Sequence, residues 1–177
     1  MKAQGTRHKT QGGGARRRPS ALYKLAEKVG RALKKRGLML ATAESCTGGW
    51  IAEAMTMVPG SSEWFERASV TYTYISKREM LGVKQKTLGR HGAVAEEVVR
   101  EMVTGALARS HAQVAVAVSG VAGPSGGTPD KPVGTVCLAW GVKGRKPRSE
   151  TRHFPGDREA VRRASVVRAL KGVLAAL

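Results

Sequence analysis

Aromatic side chains are scarce in this 177-residue chain: Trp, Tyr and Phe make up 5% of it, against a hydrophobic fraction of 41%. A core must therefore rest on Val, Leu, Ala and Met. Cysteine is nearly absent as well. Cys46 and Cys137 show neither CxxC nor zinc-finger spacing, so no disulfide framework or cysteine-built metal site is expected. The four histidines (His8, His91, His111, His153) never fall into HxxxH or HExxH spacing, and the expectation is a chain that needs no metal or other cofactor. No apolar run approaches the roughly 18 residues of a membrane span, and the N-terminus lacks the apolar core of a signal peptide. The sequence-based expectation is a cytoplasmic protein in a reducing setting, with no membrane partner.

Acidic residues are few too. Against 13 Asp and Glu stand 31 Lys and Arg, a net charge of +18 that points to an anionic partner, either a phosphate ester or a nucleic acid. Six of those charges fall in residues 1–18, MKAQGTRHKTQGGGARRR, which carry no acid and almost nothing to bury. This stretch reads as a disordered basic arm, either a nucleic-acid-binding tail or a solvated extension. Residues 19–177 then read as one domain.

What is present is a regular alternation. A helix is expected from Pro19-Ser20, with Leu22, Leu25, Val29 and Leu33 at helical spacing and Gly37 as its stop. Leu38 to Thr42 reads as a buried strand, and Gly48 to Met57 as a helix. Ala68 to Thr73 is rich in β-formers and reads as the next strand. Ser76 with Glu79 fits a capping box opening a short helix that stops at Gly82. After Thr87, a candidate cap, an amphipathic helix is expected over Ala95–Ser110 and a covered strand over Val114–Val118. Two strands, Gly134–Trp140 and Arg148–Phe154, flank a basic turn, and a last helix starts at Gly156-Asp157. The pattern predicts a three-layer α/β/α domain with a mixed, mostly parallel central sheet.

Three candidate features fall at the ends of expected strands: Ser45 in AESCTGG, the Tyr72–Lys77 segment, and Ser119 with its glycine-rich loop. Ligand sites gather at strand carboxyl ends in such sheets. The Ser45 turn opens a helix, where unpaired amides favour an anion and Gly48 and Gly49 admit close approach. A role for Ser45 as a helix cap accounts for the turn equally well. Lys77, in the first turn of a helix, is electrostatically misplaced unless it loses its proton or points to water. With no His/Asp partner in view, a neutral Lys77 is the available base for Ser45, its pKa lowered by burial beside other cations. Ser119 is placed to relay the proton or hold the lysine, and Arg158 to clamp a carboxylate or phosphate. Cys46 is the rival nucleophile at the same helix start, read here as a packing residue.

The runs AESCTGGWIAEAMTMVPGSSEWFERASVTY, LGV at 81–83, HGAV at 91–94, VSGVAGPSGGTPDKPVGTV at 118–136 and FPGDREAVRR at 154–163 strongly resemble the C-terminal domain of CinA-type proteins, over about residues 20 to 175. Stand-alone members of that family are nicotinamide-nucleotide amidases. The resemblance implies hydrolysis of nicotinamide mononucleotide to nicotinate mononucleotide and ammonia in pyridine-nucleotide recycling. It implies Ser45 as nucleophile, Lys77 as base, Ser119 as the residue completing the catalytic group, and Tyr72 and Arg158 at the substrate, for its ring and phosphate respectively. Backbone amides at Gly48-Gly49 or the Gly120 loop are the expected oxyanion donors. Where the family has a TYSNEAK-like run, this chain has TYTYISK, with Tyr74-Ile75 in place of Asn-Glu. The rival readings are a basic nucleic-acid-binding accessory protein linked to competence or DNA damage, and a family member that binds a pyridine nucleotide without hydrolysing it. A homo-oligomer is compatible with the sequence.

Overall fold

The computed structural model describes residues 20–177, so the predicted basic arm and the nucleic-acid role assigned to it lie outside the described residues. Along the chain run α1 (Ala21–Lys34), β1 (Leu40–Glu44), α2 (Trp50–Thr56), a 3-10 turn (Ser61–Glu63), β2 (Phe65–Val70), α3 (Tyr74–Leu81), α4 (Gln85–His91), α5 (Glu96–Ala108), β3 (Val114–Gly120), β4 (Thr135–Val142), β5 (Arg148–His153) and α6 (Arg158–Ala176). The sheet order is β2-β1-β3-β4-β5. β1 pairs in parallel with β2 and β3, while β4 pairs antiparallel with β3 and β5, so four of the five strands point the same way. The expected three-layer, mixed sheet is what forms.

The pleat divides the core in two. Leu40, Val114, Val116, Val118, Val136 and Leu138 pack under α1, α2 and α6, whereas Ala41, Ala43, Ala115, Ala117 and Ala139 pack under α3, α4 and α5. The second face carries mostly alanine, which lets α5 lie close to the sheet and bring α3 with it. Gly105 of α5 touches the backbone of Leu81 at the end of α3, where any side chain would collide.

Two departures from the periodicity matter for the site. The strand expected over Ala68–Thr73 runs over Phe65–Val70 and ends earlier, because Thr73 caps α3. Its hydroxyl accepts from the Ser76 amide at 3.1 Å, and the Ser76 hydroxyl in return accepts from the Thr73 amide at 3.0 Å. The capping box is therefore Thr73–Ser76 rather than Ser76–Glu79, and Lys77 lies a full turn into the helix. The second departure is α4, a seven-residue helix with only Leu88 buried and thus no stripe for periodicity to detect, so that Thr87 sits inside a helix rather than capping one.

Candidate active site

β1 delivers its last residues to opposite faces. Glu44 is fully buried on the α2 side and Ser45 follows on the other, where alternation along the strand puts it. The Ser45 amide donates to Val118 O at 3.0 Å and the Thr71 amide to Glu44 O at 2.7 Å, which extends both parallel ladders by one step. Thr71, Ser45 and Ser119 consequently form one transverse row at the carboxyl ends of β2, β1 and β3. β4 continues it with Cys137, directly opposite Ser119.

Lys77 reaches over this row from α3. It is 0% exposed, and its Nζ lies 3.0 Å from Ser45 Oγ, 2.7 Å from Thr71 O and 3.4 Å from Tyr72 O. A neutral amine has two N–H donors and one lone pair, which is the set these partners ask for: two carbonyls to accept and one hydroxyl to donate. Burial lowers the Lys77 pKa from an ordinary 10.5 to about 8, and the neighbouring Cys46 acts in the opposite sense. The field of other cations anticipated from the sequence is not the cause; desolvation is.

The helix start that the sequence offers to a ligand is already occupied. Glu44 accepts from Thr42 Oγ1 (3.1 Å), Thr47 Oγ1 (2.7 Å), and the amides of Gly49 (3.1 Å), Ile51 (3.0 Å) and Ala52 (2.9 Å). The carboxylate neutralises the amino end of α2 and clamps the turn that carries Ser45. Gly48 also donates inward, to Ser45 O at 3.0 Å. The expectation that the Gly48 and Gly49 amides face a substrate is thereby corrected. Both residues do have positive φ, 61° and 95°, so glycine is required there by the turn itself. Gly120 is needed for a different contact, since a Cβ on it would lie 2.8 Å from Thr135 O.

Arg158 and Tyr72, far apart in the chain, meet at the rim. Arg158 donates to the Tyr72 hydroxyl at 3.1 Å and to Gly123 O at 2.7 Å, tying α6 to the segment before α3 and to the glycine-rich loop. Tyr72 is 60% exposed, so its ring is free to meet a ligand. Beside this pair, Gly48, Trp50, Glu53, Arg158, Glu159 and Arg162 line an open cavity of about 470 Å³. It adjoins the Ser45 turn through Gly48 without including Ser45 or Lys77. Arg162 was not singled out from the sequence, yet it donates to Cys46 O (3.1 Å) and Thr47 O (2.8 Å) while stacking 5.2 Å from the Trp50 ring centroid. Its spacing four residues beyond Arg158, on the same helix face, is the signal by which the sequence could have shown it.

The remaining candidates divide clearly. Ser119 is buried in the row beside Ser45, but the contacts that hold Lys77 come from Ser45, Thr71 and Tyr72 rather than from its hydroxyl. Burial pushes the Cys46 thiol up to about 12, which leaves it protonated and unreactive at neutral pH. Tyr74 and Ile75 stand exposed on α3, and the Tyr74 hydroxyl accepts from the Ala93 amide at 3.2 Å, so this departure from the family pattern lies away from the Ser45–Lys77 contact. Among the described residues no group of three or more His, Cys, Asp or Glu is arranged to hold a metal, and no helix is long and apolar enough to cross a membrane.

A hydroxyl held against a buried amine, at the carboxyl ends of the strands of a mixed three-layer sheet, defines the class of domain. The chain belongs to the CinA C-terminal domain family, which it matches over residues 22–177. It is 58% identical over 150 residues to the nicotinamide-nucleotide amidohydrolase PncC of Pseudomonas putida, covering 85% of this chain and 93% of that protein. Against the protein of the same name from Escherichia coli K12 the identity is 51% over 152 residues, covering 86% and 92%. Among solved structures, the competence/damage inducible protein CihA from Agrobacterium tumefaciens superposes with a TM-score of 0.86 at 44% identity, over 89% of this chain and 96% of that one.

Proposed function

We propose that this protein is an amidohydrolase that converts nicotinamide mononucleotide to nicotinate mononucleotide and ammonia through a Ser45–Lys77 pair, as part of pyridine-nucleotide recycling. The observation that carries the reading is the 3.0 Å contact between Ser45 Oγ and a fully buried Lys77 amine, in a chain 58% identical to a nicotinamide-nucleotide amidohydrolase. Neutral Lys77 accepts the Ser45 proton as Oγ bonds to the carboxamide carbon. The resulting ammonium passes that proton to the departing nitrogen, the C–N bond breaks and ammonia leaves. A water molecule then gives a proton to Lys77 and its hydroxide to the acyl carbon, and Ser45 recovers its hydrogen from Lys77 as the acid is released.

The oxyanion donors in this reading are the amides of Cys46 and Thr47. A trans peptide places its N–H opposite its C=O. The Ser45 carbonyl is pinned by Gly48 and the Cys46 carbonyl by Arg162, so both peptide planes are set before substrate arrives. Ser119 borders the same point and completes the catalytic group. Tyr72 is assigned to the pyridine ring and Arg158 to the phosphate.

Incubation with nicotinamide mononucleotide and measurement of ammonia test the activity directly, and absence of turnover across pH 7–9 would remove it. Two further outcomes are expected. Arg158→Ala raises KM for the nucleotide about tenfold or more, the worth of a charged hydrogen bond, and leaves turnover of the phosphate-free riboside unchanged; equal losses on both substrates contradict a phosphate role. Cys46→Ala retains near wild-type kcat and iodoacetamide does not inactivate the wild type, whereas loss of activity in either case would reinstate the thiol as nucleophile.

A further inference from the structure

Two buried groups in the site are incompletely satisfied, and they belong to neighbouring residues. The Thr71 hydroxyl is fully buried and has no hydrogen-bond partner. One N–H of Lys77 has only the Tyr72 carbonyl, at a long 3.4 Å, while the Thr71 carbonyl holds the amine at 2.7 Å. Extension of the β1–β2 ladder by the Thr71 amide puts the Thr71 side chain in the same transverse row as Ser45, on the face that Lys77 covers. A buried hydroxyl without a partner is rare in a folded protein and destabilises it. Valine has the same shape without that cost.

We propose that Thr71 is a positioning residue for the base, whose hydroxyl accepts an N–H from Lys77 when the amine becomes an ammonium during acyl transfer. This inference rests on the Ser45–Lys77 reading above. The neutral amine needs only two acceptors and leaves Thr71 idle. Proton transfer from Ser45 adds a third N–H, aimed at the departing nitrogen, and a charge in a site with little water; the ammonium keeps Thr71 O and gains Thr71 Oγ1 in place of the long 3.4 Å contact to Tyr72 O. No bond is made or broken at Thr71 itself; it holds the proton carrier in line between Ser45 and the leaving group. The ionisable groups around Lys77 are few. Cys46 in the adjoining turn is protonated, Glu44 is bound to the amides of α2 on the opposite face, and Arg162 of α6 is engaged by the Cys46 and Thr47 carbonyls.

The test is Thr71→Val, with Thr71→Ser as the conservative variant. Thr71→Val is expected to keep or raise Tm, to lower kcat by about tenfold with KM unchanged, and to move the acid limb of the pH–rate profile to lower pH, because the charged form of Lys77 has lost an acceptor. Thr71→Ser restores both kcat and the limb. Wild-type kcat and pH profile in Thr71→Val would overturn the assignment, as would a loss of activity that follows a fall in Tm and recurs in Thr71→Ser. If Thr71→Val does not fold, Thr71→Ala against Thr71→Ser decides by the same kcat and limb criteria. Carbon-13 titration of the Lys77 side chain separates this inference from the amidase reading: a downward shift in Thr71→Val supports the contact even if nicotinamide mononucleotide is not turned over, and an unchanged titration defeats it even if the wild type is fully active.

Discussion

Ser45→Ala is expected to abolish ammonia release from nicotinamide mononucleotide, by a factor of about 1,000 or more, while the folded protein still binds the nucleotide. The magnitude follows from removing the nucleophile of a group that acts as a unit, where a single loss costs most of the catalysis that the group supplies. The substitution deletes one buried oxygen beside Lys77 and leaves the Glu44 clamp on α2 intact. Tm should therefore move little, and titration calorimetry should return a dissociation constant close to the wild-type KM. Residual turnover within tenfold of wild type would show that Ser45 is not the nucleophile. Wild-type binding with no turnover in the wild type would instead identify a nucleotide-binding member of the family.

Lys77→Met is the second large effect. It removes the base while keeping the length and apolar stem of the side chain, and kcat is expected to fall about 1,000-fold or more at every pH. Lys77→Arg should be equally inactive, since a guanidinium keeps its proton at usable pH. In the wild type, kcat/KM is expected to rise with pH and level off above about 8, as the amine loses its proton. Stability carries a parallel signature. The folded-state pKa of Lys77 is about 8 against an ordinary 10.5, so between those values the unfolded chain binds more protons than the native one. Native stability therefore rises with pH across that window, by an amount on the order of 3 kcal/mol for the full difference, and below pH 8 the penalty is fully present. Lys77→Met should flatten that rise in denaturant melts at pH 7.5 and pH 10. A wild-type stability that falls over the same interval, or an unchanged slope in the variant, would contradict a buried neutral amine.

The site depends on where a buried acid puts its charge. A helix start with free amides would attract an anion directly, and the sequence around Gly48 and Gly49 has that appearance. Glu44 changes the outcome by taking the Gly49, Ile51 and Ala52 amides for itself. The turn is thereby made rigid and nearly neutral, and in the proposed reaction the substrate is left to the amides just after Ser45 and to Arg158 of α6. Glu44 stands beside Ser45 in the sequence, but only its burial distinguishes it from any acid preceding a helix.

Residue order by itself determined the α/β alternation, the central strand Val114–Val118, the helix over Ala95–Ser110 to within two residues, and the placement of Ser45 and Ser119 at strand ends. These follow from apolar periodicity and from turn chemistry, which act over a few residues. Helix-start positions marked Lys77 and Arg158, and the motifs carried the family and with it Tyr72 as a residue of interest. Tertiary structure decided what those residues face. The contact of Lys77 with Ser45 depends on α3 being pressed over the β1–β2 edge through Gly105 and Leu81, and the meeting of Arg158 with Tyr72 depends on α6 reaching the same edge. The partners of Glu44, Arg162 and the Thr71 hydroxyl likewise appear only when the strands are in register. Each is a property of burial and of distances between segments remote in the chain, and local spacing carries no information about either.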